Sequence, residues 1–146
     1  MKIKKISLSK RKHLAKFLVD YWKSRKMNYS FSWAMKYLKK GMMMEFSEER
    51  FIAVDKNENI FGTIALLKSN YYVAEIRDEV WKNDLIGSLL LEELMKFSKK
   101  NKIKKLFSLA LKNKTSFYKK HGFKKEGMLK DHFKKGENVT IMSKVI

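Results

Sequence analysis

Residues 75–91 carry the first hint of chemistry, because a short strand there runs through a polar turn into a helix. Leu85, Leu89, Leu90 and Leu94 recur at close to 3.6-residue spacing, which predicts the helix. The first N–H groups of a helix have no partner within it, and the helix dipole favours negative charge beside them. The junction therefore predicts a binding site for phosphate or pyrophosphate. Every strand-to-helix junction has some of this character, so a merely structural turn is the alternative.

Other catalytic groups are few in this sequence. It contains no cysteine, which excludes a thiolate nucleophile, a disulfide framework and a zinc site built on sulfur. Its three histidines, His13, His121 and His132, lie far apart among polar residues and match no catalytic triad. No Gly-x-Ser-x-Gly motif and no metal-ligand spacing occur either, so we expect no metal.

Charge is the most unusual property of the chain. There are 34 lysines and arginines against 15 aspartates and glutamates, a net charge of +19. Such a field favours anionic partners, among them a phosphorylated cofactor, nucleic acid or a ribosome surface. Lysine is nevertheless spread through every segment, as a compositional bias of the source would also produce. The charge alone therefore supports no particular partner.

Length and patterning predict one globular domain. The chain has 146 residues, of which 45% are hydrophobic and 13% aromatic, enough for a sizeable core. No apolar run approaches the length of a membrane span, and the first residues alternate instead of forming a signal-peptide core. We therefore expect a cytoplasmic protein that does not enter a membrane.

Hydrophobic periodicity predicts the element order β-α-α-β-β-β-α-β-α-β-β, an α/β fold built on a mixed sheet. Ser9 and either Ser30 or Ser32 are candidate caps for the first two helices, and 47–49 reads as a short turn. The soft side chains of 42–46 suit a core or a loose pocket. Strands are predicted at 2–7, 51–54, 60–67, 71–77, 103–111, 123–128 and 139–145, and helices at 9–26, 30–41, 84–100 and 115–120.

Three motifs then resemble one family. Residues 82–87, Lys-Asn-Asp-Leu-Ile-Gly, resemble the cofactor-binding signature of the GCN5-related N-acetyltransferase (GNAT) superfamily. Residues 116–123, Ser-Phe-Tyr-Lys-Lys-His-Gly-Phe, are similar to its aromatic-Tyr-x-x-x-Gly-Phe segment, and 142–144 match its closing Met-x-Lys. The resemblance covers roughly residues 50–146.

The resemblance implies the GNAT fold, a central mixed and mostly antiparallel sheet of six to seven strands flanked by about four helices. It implies a single acetyltransferase domain over 1–146, with acceptor-recognition helices in 1–50 and an acetyl-CoA-binding core in 51–146. The implied reaction moves an acetyl group from acetyl-CoA to a primary amine by direct attack on the thioester, with no metal. The acceptor would be a protein N-terminus, a lysine, a polyamine or a small amine. Family members are often dimers, so a homodimer is a further expectation.

For the cofactor, the resemblance implies that the central strand parts from its neighbour and that the pantetheine arm lies in the gap. The backbone of Glu75, Ile76 and Arg77 would then lie beside it, and the N–H groups of 83–88 would hold the pyrophosphate. Lys82 would add a point charge. The implied cofactor-binding residues are Ile76, Arg77, Lys82, Asn83, Asp84, Leu85, Ile86, Gly87, Ser88, Asn113 and Tyr118.

For catalysis, the resemblance makes Tyr118 the general acid that protonates the departing thiolate, its alternative role being that of a packed aromatic. Many relatives have a catalytic glutamate on the strand corresponding to 103–111, and this strand has none. We therefore expect the general base to be Glu75, with Glu79 behind it, or a chain of water molecules. A carboxylate merely exposed to solvent is the alternative for Glu75.

Two departures weaken the implied cofactor site. Leu85 stands where the signature has its first glycine, and Asp84 adds a negative charge. Asn113 also lies closer to Tyr118 than its counterpart does in many members. Leu85, Asp84 and the missing strand glutamate support a rival interpretation, a catalytically inactive acetyltransferase-like module that binds nucleic acid through its lysines, whereas the intact segment 118–123 opposes it.

Overall fold

A seven-stranded sheet forms the centre of the molecule in the computed structural model, which describes residues 1–40, 47–68 and 72–146. The strands lie in the order β1-β2-β3-β4-β5-β7-β6, and every neighbouring pair is antiparallel except β4 and β5. The predicted α/β fold on a mixed, mostly antiparallel sheet is confirmed. The strands are β1 (Lys2–Lys5), β2 (Ser47–Val54), β3 (Ile60–Lys68), β4 (Val73–Trp81), β5 (Lys105–Leu111), β6 (Lys124–Leu129) and β7 (Val139–Val145).

Four α-helices among the described residues flank this sheet. Ser30 begins the second helix, where its hydroxyl accepts a hydrogen bond of 3.1 Å from the Trp33 N–H. Asn83 begins the third, where its side-chain oxygen accepts from the Ile86 N–H at 3.1 Å. The helices are α1 (Arg11–Ser24), α2 (Phe31–Lys40), α3 (Asp84–Lys100) and α4 (Lys112–Lys120).

Each face of the sheet carries its own apolar core. Leu90, Leu94 and Phe117 of α3 and α4 are buried against one face. Leu14 and Leu18 of α1 pack, together with α2, against the other. The two faces matter for function because consecutive side chains of a strand point to opposite faces. A shift of one residue therefore transfers a functional group from one core to the other.

The pairing of β4 with β5 ends halfway along the two strands. It runs from Val73↔Lys105 to Ile76↔Ser108, and the register contains no later pair among the described residues. β4 nevertheless continues to Trp81. At the same end of the sheet, β5 continues to Leu111 alongside β7. The two strands therefore part and leave a wedge-shaped gap in the sheet.

A β-bulge lies in β4 opposite this gap. Thr63 of β3 pairs with Val80, whereas Ala65 pairs with Arg77, so Asp78 and Glu79 together face a single residue of β3. Asp78 has a φ of 51°, a left-handed conformation that aspartate tolerates better than most residues. The prediction that the strand ends at Arg77 in a polar turn is wrong, because β4 continues to Trp81 and Asp78 and Glu79 form a bulge within it.

Some other element boundaries also differ from prediction. Residues 47–49 are not a turn but the first residues of β2, where Glu49 pairs with Leu66. Helix α4 begins three residues before Thr115, at Lys112. The pocket predicted for 42–46 lies outside the described residues. No helix in the described part of the chain has the length and apolar character needed to cross a membrane.

Candidate active site

A hydrogen-bonded group of three side chains lies where β4 and β5 part. The Glu79 carboxylate accepts a hydrogen bond of 2.5 Å from the Tyr118 hydroxyl and another from the Ser108 hydroxyl. Tyr118 and Ser108 are fully buried. Burial raises the pKa of Glu79 to about 7, although both hydrogen bonds favour the ionised form. Glu79 therefore changes its protonation state near neutral pH, as a general base requires.

Tyr118, in contrast to Glu79, keeps its proton at neutral pH. Burial, followed by the negative charge of Glu79, raises the pKa of its phenol well above the ordinary value. Its ring lies between those of Phe117 and Phe123, with centroid distances of 5.5 and 4.9 Å. The hydroxyl is therefore a fixed, protonated donor directed at the Glu79 carboxylate.

Because of the bulge, the consecutive acidic residues Asp78 and Glu79 contact different partners. Asp78 lies on the α1–α2 side of the sheet and accepts from Arg50 Nη1 at 2.7 Å and from the Tyr37 hydroxyl at 2.6 Å. Arg50 is buried and also donates to Glu48, so the aspartate anchors the bulge in a satisfied polar network. Glu79 turns toward the α3–α4 side, where it meets Tyr118.

A cavity of about 150 Å³ opens beside Glu79. The end of α1 forms one wall and the parted ends of β4 and β5 form another. Arg25 at its rim forms an ion pair with Glu137, so this cation is already neutralised. A neighbouring cavity shares Arg25 and Leu111 and is also lined by Asn113. The first cavity is lined by Tyr21, Trp22, Arg25, Met27, Asp78, Glu79, Val80, Leu109, Leu111, Lys114 and Phe133.

The start of α3 offers fewer free donors than the sequence suggests. The Ile86 N–H is capped by Asn83, and the Gly87 N–H donates to the Asn83 carbonyl at 3.1 Å. The N–H groups of Asp84 and Leu85 have no partner among the described residues, and the Leu85 side chain is 72% exposed. An anion at this helix start would therefore meet Asp84 and Leu85.

Gly87 has a packing role that the sequence did not indicate. A Cβ atom on Gly87 would lie 2.5 Å from Cε2 of Trp81, so only glycine leaves room for the indole. The indole also lies 4.8 Å from the Phe117 ring, centroid to centroid. Trp81 thereby joins the end of β4 to the first turns of α3 and to α4.

The structure does not bring Glu75 and Tyr118 together. Glu75 alternates with the buried core residues Ala74 and Ile76 and so lies on the opposite face of β4 from Glu79, where its closest ion-pair partner is Arg77 at 3.6 Å. The Ile76 side chain packs in the core under α3, and its backbone lies at the last residue pair before the gap. The candidate base that meets Tyr118 is therefore Glu79, which sequence reasoning ranked second.

Of the remaining predicted cofactor residues, Lys82 lies exposed before α3 with its Nζ 4.0 Å from the centre of the Phe61 ring. Ser88 lies one turn inside the helix, where its hydroxyl donates to the Asp84 carbonyl at 2.8 Å. Lys114, which sequence reasoning missed, lies beside Trp81 and lines the cavity with Glu79. The only sequence signal for it was its place one residue after Asn113.

Comparison with known proteins identifies the class of protein to which this fold belongs. Residues 29–146 match the model of the acetyltransferase (GNAT) domain. An aminoglycoside 6'-N-acetyltransferase complexed with coenzyme A is 16% identical, with a TM-score of 0.81 over 99% of this chain and 97% of that chain. A ribosomal-protein-alanine N-acetyltransferase from Brucella melitensis is 15% identical, with a TM-score of 0.78 over 100% of both chains. A spermidine N-acetyltransferase from Vibrio cholerae is 17% identical, with a TM-score of 0.77 over 99% of this chain and 95% of that chain. No curated protein sequence matches.

The chain belongs to the GNAT acetyltransferase family, because the family model matches well over half of its length. It is an acetyl-CoA-dependent N-acetyltransferase. The resemblance drawn from residues 82–87 and 116–123 is thereby confirmed, as are the predicted GNAT fold and the predicted enzyme class.

Proposed function

We propose that this enzyme acetylates a primary amine held in the cavity beside Glu79, by direct attack of the amine on the thioester of acetyl-CoA. The observation that carries the proposal is the Glu79 carboxylate, which meets the Tyr118 hydroxyl at 2.5 Å where β4 and β5 part. A base and an acid in direct contact, beside a gap in the sheet, are the groups that acyl transfer to an amine needs.

The residues around the gap fit the cofactor. Beyond the Ile76↔Ser108 pair, the separated strands leave room for an extended chain between them. The N–H groups of Asp84 and Leu85 are available to a pyrophosphate at the start of α3. Lys82, two residues before Asp84, and Lys114, whose charge interacts with Asp84, add positive charge that offsets this carboxylate. When bound, acetyl-CoA supplies an acetyl group activated as a thioester.

Glu79 takes a proton from the incoming ammonium, so that a neutral amine attacks. Tyr118 gives its proton to the departing thiolate, and the second proton on the new amide nitrogen leaves to solvent. The hydrogen bond between Tyr118 and Glu79 then returns the first proton from the carboxylic acid to the phenolate. This direction follows from the pKa values, since that of Tyr118 lies well above its ordinary value and that of Glu79 is about 7. Both groups end in their starting protonation states.

The acceptor site is formed by the α1 end of the cavity, which supports the assignment of acceptor recognition to the first part of the chain. Trp22 and Met27 provide an apolar wall, and Phe133 closes the rim. Asp78 and Glu79 also line this cavity. A cavity of about 150 Å³ suits an aminoalkyl group better than a whole large substrate. We propose a primary amine on a small molecule or on a protein as the acceptor.

The test combines cofactor binding with transfer. Leu85→Glu adds a carboxylate beside the free N–H groups, and calorimetric titration should show acetyl-CoA binding weakened by about 3- to 10-fold. Val145→Glu is the matched control: its side chain is 71% exposed against 72% for Leu85, and it lies at the other end of the sheet, opposite Lys105. Control binding should equal that of the wild type.

Transfer is then measured against a panel containing a lysine peptide, a peptide with a free N-terminus, a polyamine and an aminoglycoside. Release of free thiol that depends on one of these amines would support the proposal. Failure of the wild type to bind acetyl-CoA would overturn it, as would binding with no transfer to any primary amine.

A further inference from the structure

Lys114 is a primary amine inside the proposed site, and the proposed function uses only its positive charge. It lies in the first turn of α4 and lines the same cavity as Glu79. Its Nζ lies 3.4 Å from the centre of the Trp81 ring, and the charges of Glu79 and Asp84 both act on it. It therefore lies near both the carboxylate proposed as base and the helix start proposed for the pyrophosphate.

The surroundings of this lysine raise the neutral, nucleophilic fraction of its amine above that of an ordinary lysine. Within the described residues it forms no ion pair, unlike Lys105, which pairs with Glu126 at 2.6 Å. Burial lowers its pKa to about 8, with Glu79 and Asp84 opposing the change only in part. At pH 7.5 it therefore has more than about 100-fold the neutral fraction of an ordinary lysine. It is also held close to the gap, which replaces a bimolecular encounter with a positioned one.

We infer that Lys114 is a site of self-acetylation, modified by acetyl-CoA bound in this enzyme's own site when no acceptor amine is present. The Lys114 nitrogen forms a bond to the acetyl carbon while the bond from that carbon to sulfur breaks. One proton passes from the amine through Glu79 and Tyr118 to the thiolate, and the products are acetyl-lysine and coenzyme A. This inference rests on the proposed function.

Acetylation of Lys114 has two consequences for the site. It places a neutral amide in the acceptor cavity, which reduces the space beside Glu79. It also removes a positive charge that lowers the pKa of Glu79, so that this pKa rises further. Both effects slow transfer to an external amine. Self-acetylation is thus a form of self-inhibition.

The test incubates the full-length protein with acetyl-CoA at pH 7.5 without acceptor, and peptide mass spectrometry then measures the acetylated fraction of each lysine. Lys114 should be modified at least about 10-fold more than Lys119, an exposed lysine of the same helix. Excess desulfo-coenzyme A, which cannot carry an acetyl group, should abolish labelling of Lys114 but leave the background on Lys119. Lys114→Arg should abolish the site-specific label, and Lys119→Arg should preserve it.

The same samples are titrated with acetyl-CoA by calorimetry, which distinguishes a failure of the self-acetylation proposal from a failure of the proposed function. Binding without preferential labelling of Lys114 would overturn the self-acetylation alone. Labelling that desulfo-coenzyme A does not block would also overturn it, since the reaction would then not use the site. Failure to bind acetyl-CoA would overturn the proposed function itself.

Discussion

At the scale of single residues, the local environment assigns different roles to chemically similar groups. Glu75 and Glu79 lie on the same strand, yet only Glu79 meets Ser108 and Tyr118. Asp78, next to it in sequence, has its carboxylate bound by Arg50. Burial without a cationic hydrogen-bond partner raises the pKa of Glu79 to about 7. These contacts make Glu79 the residue to test first.

We predict that Glu79→Gln lowers kcat by about 10²- to 10⁴-fold, because glutamine keeps the size of the side chain but cannot take a proton. Acetyl-CoA affinity should be unchanged. Steady-state kinetics with the best amine of the panel, together with calorimetry, provide the measurement. Glu75→Gln is the matched control on the opposite face of β4, and its kcat should stay within about threefold of wild type. A larger loss in Glu75→Gln than in Glu79→Gln would reverse the assignment of the base.

We also predict that kcat/KM rises with pH through about 7, as Glu79 loses its proton and becomes a base. Its hydrogen bonds with Ser108 and Tyr118 stabilise the carboxylate and so lower its pKa. Removing either bond raises that pKa, and in both Ser108→Ala and Tyr118→Phe the rising limb should move to higher pH. Only Tyr118→Phe should also lower the plateau, because it alone removes the proposed acid. Equal plateaus in the two variants would exclude Tyr118 as the proton donor.

At the scale of secondary-structure elements, the bulge in β4 and the parting of β4 from β5 create the site together. The bulge places Asp78 and Glu79 opposite a single residue of β3 and sends their side chains to different faces. The parting leaves the ends of both strands lining a cavity. The conformation of Asp78 is maintained by Arg50 and Tyr37, which belong to β2 and α2. Two elements, β2 and α2, therefore stabilise the bulge in β4.

We predict that Asp78→Asn lowers the free energy of unfolding by about 1–3 kcal/mol, because the buried Arg50 loses a charged partner. Urea unfolding followed by circular dichroism provides the measurement. Asp131→Asn is the matched control, since Asp131 has a similar φ of 49° but lies in an exposed loop. There the change should stay within about 0.5 kcal/mol. Equal losses at both positions would show that the ion pair with Arg50 does not set the cost.

At the scale of the whole molecule, the net charge of +19 surrounds a site whose own charges are largely balanced. Asp78 is paired with Arg50, and Arg25 with Glu137. The excess positive charge instead acts at long range, where it attracts a polyanionic cofactor and is screened by salt. The same field would attract nucleic acid, which makes salt dependence the property that distinguishes the two partners.

We predict that the dissociation constant of acetyl-CoA rises by less than about tenfold between roughly 50 and 200 mM salt, because backbone N–H groups contribute part of the binding. A duplex oligonucleotide held by lysine contacts to 6–10 phosphates would lose about 10³- to 10⁵-fold over that range. Calorimetry with both ligands at several salt concentrations makes the comparison. A steeper salt dependence for acetyl-CoA than for the duplex would contradict this account of the cofactor site.

The sequence by itself determined the elements, the family and the neighbourhood of the site. Periodicity placed the strands and helices in the observed order, and residues 82–87 and 116–123 were sufficient to indicate an acetyltransferase. These features are local, since hydrophobic spacing and short motifs depend on neighbours along the chain. The motif at 116–123 was likewise sufficient to indicate Tyr118 as the candidate general acid.

Only the tertiary structure showed that Glu79, and not Glu75, contacts Tyr118. Strict alternation along β4 assigns each side chain to a face, but one inserted residue at Asp78 changes the assignment for every residue after it. That insertion depends on Arg50 and Tyr37, which are 28 and 41 residues away in the chain. The altered pKa values of Glu79 and Lys114 arise from burial among several elements. Contacts between residues so distant in sequence are absent from any local pattern, so they became visible only when the chain was folded.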